Sequence, residues 1–125
     1  MTQIQVKDSG FNVGDVVVGV GGYNMTYTEW YKIVRVTKCK VFLKEYPVSY
    51  ATPYGPNTPG SHCMPVIDGV VDESCPYYFG SRELSDKEIS GIIRQWNGKH
   101  YIKLPGTYGM SLNHWDGKPG WVNCD

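Results

Sequence analysis

Four cysteines and three histidines are the residues of this chain with the widest chemical reach. His62-Cys63 with Cys75, and His100 or His114 beside them, would make a zinc-type donor set. Their spacing argues against one, because there is no Cys-x-x-Cys pair and no His-x-x-x-His pair. A Cys–His hydrolase would need the Cys63 thiol against an imidazole. His62 cannot supply it from the next position along a strand, because neighbours there point to opposite faces. Asp68, Asp72 and Glu73 form an acidic run of the sort that solvated loops carry. No Gly-x-Ser-x-Gly, P-loop or dinucleotide fingerprint is present. The expectation is a protein that is not an enzyme and holds no metal or cofactor.

Binding chemistry is better represented. Tyr23, Asn24, Thr26, Tyr27, Trp30 and Tyr31 combine rings that stack on apolar faces with groups that give directional hydrogen bonds. The competing reading has Tyr23 and Trp30 plugging a core while Asn24 and Thr26 cap a turn. A second set, Tyr108, His114, Trp115, Asp116, Lys118 and Trp121, brackets an Asp-Gly turn with two tryptophans. It reads as a protein-contact patch or as a lid on the open end of the core. A third, Lys38, Lys40 and Lys44, shares one face with Phe42, the mix of charge and stacking that single-strand binders use.

The elements that must position these residues are strands. Val16 to Val20 alternate with period 2 before Gly21-Gly22 ends the run. A loop over Tyr23–Glu29 is expected next. Trp30–Val36 and Cys39–Lys44 are rich in aromatic and β-branched residues, joined by a tight Thr37–Lys38 turn. In the second run Cys39, Val41 and Leu43 face a core. These three strands form a curved meander, the usual opening of a small barrel. Ile92–Trp96 and Lys99–Leu104 flank Asn97-Gly98, which supplies the two positive-φ positions of a type I′ turn. Ser85-Asp86-Lys87-Glu88 fits a capping box and predicts one short helix over Asp86–Ile89. Leu112–Trp115 and Gly120–Val122 are expected strands beside the Asp116-Gly117 turn. Residues 1–10 read as a loose lead-in or a short edge strand over Ile4–Lys7. Residues 47–79 read as an irregular, proline-rich insertion with one short strand somewhere in Met64–Val71.

The chain has 125 residues, which suits a single domain over 1–125. With 41% hydrophobic residues it can bury its own core. Twelve basic and twelve acidic residues cancel, which gives no global pull towards nucleic acid or membrane. The charge is nevertheless uneven along the chain. Residues 30–44 carry Lys32, Arg35, Lys38, Lys40 and Lys44 against no acid, whereas residues 66–88 are mostly acidic. Such charge either protects solvated sheet edges or meets a charged partner. No apolar run reaches the roughly 18 residues of a membrane span. The polar start, MTQIQVKDSG, lacks a signal-peptide core. A cytosolic protein with reduced thiols is expected.

The order VGDVVVGVGGY, T-x-x-x-W-Y-K-I-V-R-V-T-K, NGKHYIKL and WDGKP resembles a family of small accessory proteins encoded by tailed bacteriophages. The matched blocks are residues 13–44 and 97–119. Gly21-Gly22-Tyr23 stands where that family has Trp-Gly-Tyr, and Asn24-Met25-Thr26 where it usually has Asp-Gln-Thr. The resemblance implies an SH3-like barrel core and a role in the host cytoplasm, without a known chemistry. Together these features predict a mainly β protein, an SH3-like small antiparallel barrel with a long insertion and at most one short helix. Its expected action is to bind and inhibit a host protein, a defence or regulatory factor. The alternatives are sequestration of a small nucleotide signal and a nucleic-acid-binding module. No membrane partner is expected, and a homo-oligomer stays open.

Overall fold

The computed structural model describes residues 4–21, 25–51, 61–71, 77–78, 81–105 and 110–124, with the backbone alone at 25–27, 51, 61–62, 77–78 and 121–124. A short 3-10 turn, Val6–Asp8, precedes ten strands: β1 Val16–Gly21, β2 Met25–Val36, β3 Lys40–Glu45, β4 Val48–Ala51, β5 Ser61–Pro65, β6 Tyr77–Tyr78, β7 Glu88–Trp96, β8 Lys99–Lys103, β9 Ser111–His114 and β10 Gly120–Cys124. Six of them run β1-β9-β8-β7-β3-β2, and β2 returns to β1, so the antiparallel sheet closes on itself. This is the small SH3-like barrel that the sequence led us to expect.

Alternation decides what the barrel holds. Val17, Tyr31, Ile33, Val41, Leu43, Ile93, Ile102 and Leu112 point inward and form one buried cluster. Gly19 also faces in, and a Cβ there would overlap Met110 Sδ and Leu112 Cδ2, so the interior closes over a bare backbone at that point. Val6 and Phe11 join the same cluster. The Val6 amide donates to the Lys38 carbonyl at 2.9 Å, and the Phe11 ring stacks on His114 with centroids 4.4 Å apart. The segment over Ile4–Lys7 is therefore neither a loose lead-in nor an edge strand. Its apolar side chains are buried against the barrel.

Three further expectations need correction. The loop over Tyr23–Glu29 is strand from Met25 onward, because β2 extends to pair with β10 through Thr26–Asn123 and Met25–Cys124. The short helix over Asp86–Ile89 does not form. The Ser85 hydroxyl accepts from the Lys87 amide at 3.1 Å, a local turn. Glu88 and Ile89 already pair with Lys44 and Leu43. Long-range pairing with β3 thus outweighs a local capping signal worth only about 1 kcal/mol. The insertion over 47–79 is not irregular throughout. It contributes β4, β5 and β6, which with β10 make a second sheet beside β2. Pro47 and Pro65 do not break it, because they stand at strand ends, and the Val66 amide reaches the Pro47 carbonyl at 2.7 Å.

This second sheet builds a second core against the outside of the barrel. Trp30, Tyr46 and Cys63 are its buried centre, with Val16, Val18, Val48, Tyr50, Ile67, Leu84 and Trp115 around them. β1 is therefore covered on both faces, which is why it reads as nearly continuous valine. At the far hairpin Asn97 and Gly98 both have positive φ, 52° and 77°, as a type I′ turn requires.

Candidate functional site

The aromatic set separates once its members are placed. Tyr23 and Asn24 lie outside the described residues, and Thr26 and Tyr27 are described by backbone only, within β2. Trp30 has no exposed surface, and Tyr31 is 5% exposed. Trp30 faces the second core, and its ring meets Trp115 edge-on at 6.3 Å. Among the described residues its Nε1–H has no hydrogen-bond partner. Tyr31 faces the barrel interior and donates its hydroxyl to Glu29 Oε2. Neither ring is at a rim, so both leave the set of partner-contacting residues and join the cores. Trp115 is half-buried and donates Nε1–H to the Lys118 carbonyl at 2.9 Å, the geometry of a lid on Trp30. Trp121 sits in β10 opposite His62, with only its backbone described.

The basic set behaves differently. Lys38 falls in the β2–β3 turn, apart from the others. Lys40, Phe42 and Lys44 point outward from β3 while Val41 and Leu43 are buried beneath them. Residues directly opposite across an antiparallel pair share a face, and so the register extends this row in both directions. Lys44 stands opposite Lys32 on β2 and Glu88 on β7, and Lys40 stands opposite Ile92. On β8, Lys103 stands opposite Ile92, Tyr101 opposite Arg94 and Lys99 opposite Trp96.

Arg35 reaches the same face through a local irregularity. The β2–β3 register shifts between Ile33 and Arg35, so one extra β2 residue is accommodated there. Without that bulge, simple alternation from inward-facing Ile33 would turn Arg35 inward. With it, Arg35 opposes Phe42 and lays its guanidinium 3.6 Å from the ring centroid. Glu88 Oε1 accepts from Arg35 Nε at 2.8 Å and lies 2.8 Å from Nη2.

The outer face of β2-β3-β7-β8 thus gathers Lys32, Arg35, Lys40, Lys44, Arg94, Lys99 and Lys103, seven of the chain's twelve basic residues. Phe42, Tyr101 and Trp96 stand among them, and Trp96 is 72% exposed. Glu88 is the single acid across these rows. A neutral chain therefore carries a face with six excess positive charges. The opposing lysines at 32 and 44 cost stability, since like charges directly across a pair repel. Edge protection does not explain Lys40 and Lys44, because β3 is paired on both sides, whereas Arg94 and Lys99 lie where the β7–β8 hairpin pairs only with itself.

Residues 92–104 were read as a hairpin from the sequence, and its basic face was missed. Alternation about Asn97-Gly98 already placed Arg94, Trp96, Lys99, Tyr101 and Lys103 on one side. Their junction with Lys40 and Lys44 needs the β3–β7 pairing, which no local pattern encodes.

A groove of about 330 Å³ crosses this face between Lys40 and Lys103, floored by Ile92 and bounded by Ser90, Leu104 and Pro105. Two further hollows, of about 420 and 340 Å³, lie where the second sheet meets the barrel and share Tyr46 and Glu83 in their walls. They are mixed in charge: Glu45, Asp68 and Glu83 stand near Lys32 and Arg82. Burial, and secondarily the Asp68 charge, raise the Tyr46 pKa and keep its phenol neutral. Among the described residues no group of three or more His, Cys, Asp or Glu gathers at metal-binding range. No helix among them is long and apolar enough to cross a membrane.

Glu45, at the end of β3, gives a pH prediction. Desolvation and then the Glu29 carboxylate raise its pKa above 4.5. The folded state thus holds this proton more tightly than the unfolded chain, and stability falls as pH rises from the ordinary glutamate range through the raised value. Glu45→Gln removes that loss. In urea melts the variant should gain on the wild type as pH goes from about 4 to about 7. A gain that shrinks over the same interval would contradict the assignment.

Compared with known proteins, the chain matches no family model, no curated protein and no solved structure.

Proposed function

We propose that this protein acts by binding, without catalytic chemistry of its own, and that its ligand is a single-stranded nucleic acid laid across the outer face of β2-β3-β7-β8. One observation carries the reading. Cations from four adjacent strands share the outer side of the barrel with three aromatic side chains, and Lys40 and Lys44 do so from a strand paired on both sides. Lysine and arginine neutralise backbone phosphates, while exposed rings stack on unpaired bases of any sequence. In the phage-accessory role that the resemblance implies, the ligand would be nucleic acid inside the infected cell. The host-protein reading needs exposed aromatics beside separated charge patches, and the small-nucleotide reading needs the rings of the loop over 23–31; of those rings Trp30 and Tyr31 are buried.

Titration of a fluorescent oligothymidylate against the protein at low salt tests this. Binding is expected, with quenching of Trp96 emission on saturation. No binding at about 50 mM salt would reject the reading.

Glu88 refines the test. It is the acid that pairs with Arg35 and faces Lys44. Exposed pairs of this kind contribute about 0–1 kcal/mol to stability. Glu88→Gln should therefore leave the melting temperature nearly unchanged. It should tighten oligothymidylate binding roughly two- to fivefold, because a phosphate no longer competes with a carboxylate for Arg35. Weaker binding by this variant would show that the ion pair orients Arg35 for the ligand rather than masking it.

A further inference from the structure

We infer that the groove between Lys40 and Lys103 is a one-nucleotide subsite, with a single phosphate held by both ammonium groups and the sugar and base seated on Ile92 and Pro105. The inference rests on the nucleic-acid reading and adds where on the face one nucleotide is fixed.

The register supplies the geometry. Ile92 has Lys40 opposite it on one side and Lys103 opposite it on the other. The two lysine Cα atoms are therefore two strand spacings apart, roughly 10 Å. Their four-carbon stems can lean inward over the shorter Ile92 and meet at one anion. Elsewhere on the face the cations lack this arrangement. Arg94 stands opposite Tyr101, and Lys99 opposite Trp96.

The groove is also shaped for more than a phosphate. At about 330 Å³ it falls at the lower end of small-ligand pockets, which suits one nucleotide rather than a longer segment. The Ser90 hydroxyl adds a polar group at one wall. Ile92 and Pro105 give an apolar surface for the flat side of a sugar or base, over Leu104, which is buried in the barrel core. Charge at one place and apolar area beside it match the two halves of a nucleoside monophosphate.

The test uses the intact chain, with thymidine 5′-monophosphate, thymidine and an oligothymidylate as probes. In amide NMR spectra the monophosphate should shift residues 40, 90–92 and 103–105, and thymidine should not. Lys40→Gln and Lys103→Gln should each weaken oligothymidylate binding about fivefold. Together they should weaken it by less than the product of the two, because they share one phosphate. Both side chains lie on the outer face, and Arg94→Gln serves as a control for general loss of charge. If the oligomer binds but the monophosphate shifts no localised set, the subsite is overturned and the face stands. The same holds if the two losses multiply as independent effects. If the oligomer does not bind the wild type at all, both the face and the subsite fall.

Discussion

Reversing three exposed cations, Lys40→Glu, Arg94→Glu and Lys99→Glu, should reduce oligothymidylate affinity by more than a hundredfold and leave the fold intact. The face carries six excess positive charges, and three reversals bring it to zero. Phosphate contacts supply most of the affinity of sequence-tolerant binders, so removing the field removes the binding. Structure should be preserved because all three residues are exposed and their neighbours in the cores are untouched. Relief of repulsion among the lysines should change the unfolding free energy by no more than about 0.5 kcal/mol. Retention of affinity within tenfold would mean that the ligand lies elsewhere.

The second large effect concerns stability. Trp30 is fully buried in the cluster that joins the second sheet to the barrel. Trp30→Ala should cost about 3–5 kcal/mol, the range for deleting a large buried ring. That is a large share of the 5–15 kcal/mol typical of a domain. Trp30→Phe should cost much less. It keeps a ring against Trp115 and removes a buried indole N–H that has no hydrogen-bond partner among the described residues. Chemical denaturation measures both. A folded Trp30→Phe protein should bind oligothymidylate as the wild type does. Lost binding at unchanged stability would return Trp30 to the contact surface and contradict its assignment to the core.

The comparison of Trp30 with Lys40 shows what the sequence could and could not reveal. Both residues sit on strands that alternation identifies. For Lys40, the buried Val41 and Leu43 on the opposite side settle which way it points. For Trp30, alternation gives the side but not what covers it. The cover is the second sheet, built from Val48–Ala51, Ser61–Pro65, Tyr77–Tyr78 and Gly120–Cys124, and the sequence hides it behind Pro47, Pro53, Pro56, Pro59 and Pro65. Proline punctuates a chain in the same way whether it sits in a loop or at the end of a strand. The Asn97-Gly98 hairpin was legible because its turn chemistry is local. The face it completes was not, because the β3–β7 pairing joins residues about fifty positions apart. The capping-box signal at Ser85 failed for the same reason, as a local preference was overruled by a distant strand. Arg35 is a subtler case. Strict alternation would have turned it inward, and a bulge that leaves no mark in the sequence turns it out.

The most direct measurement of the central claim is the salt dependence of oligothymidylate affinity, compared with that for a duplex of equal length. With about five phosphates neutralised on a single strand, the logarithm of the association constant should fall with a slope near −3.5 against the logarithm of salt concentration. Affinity should then drop roughly a hundredfold between 50 and 200 mM. The single strand should bind more tightly than the duplex throughout, since only unpaired bases can stack on Tyr101 and Trp96. A slope near zero, or a duplex bound as tightly as the single strand, would contradict the account.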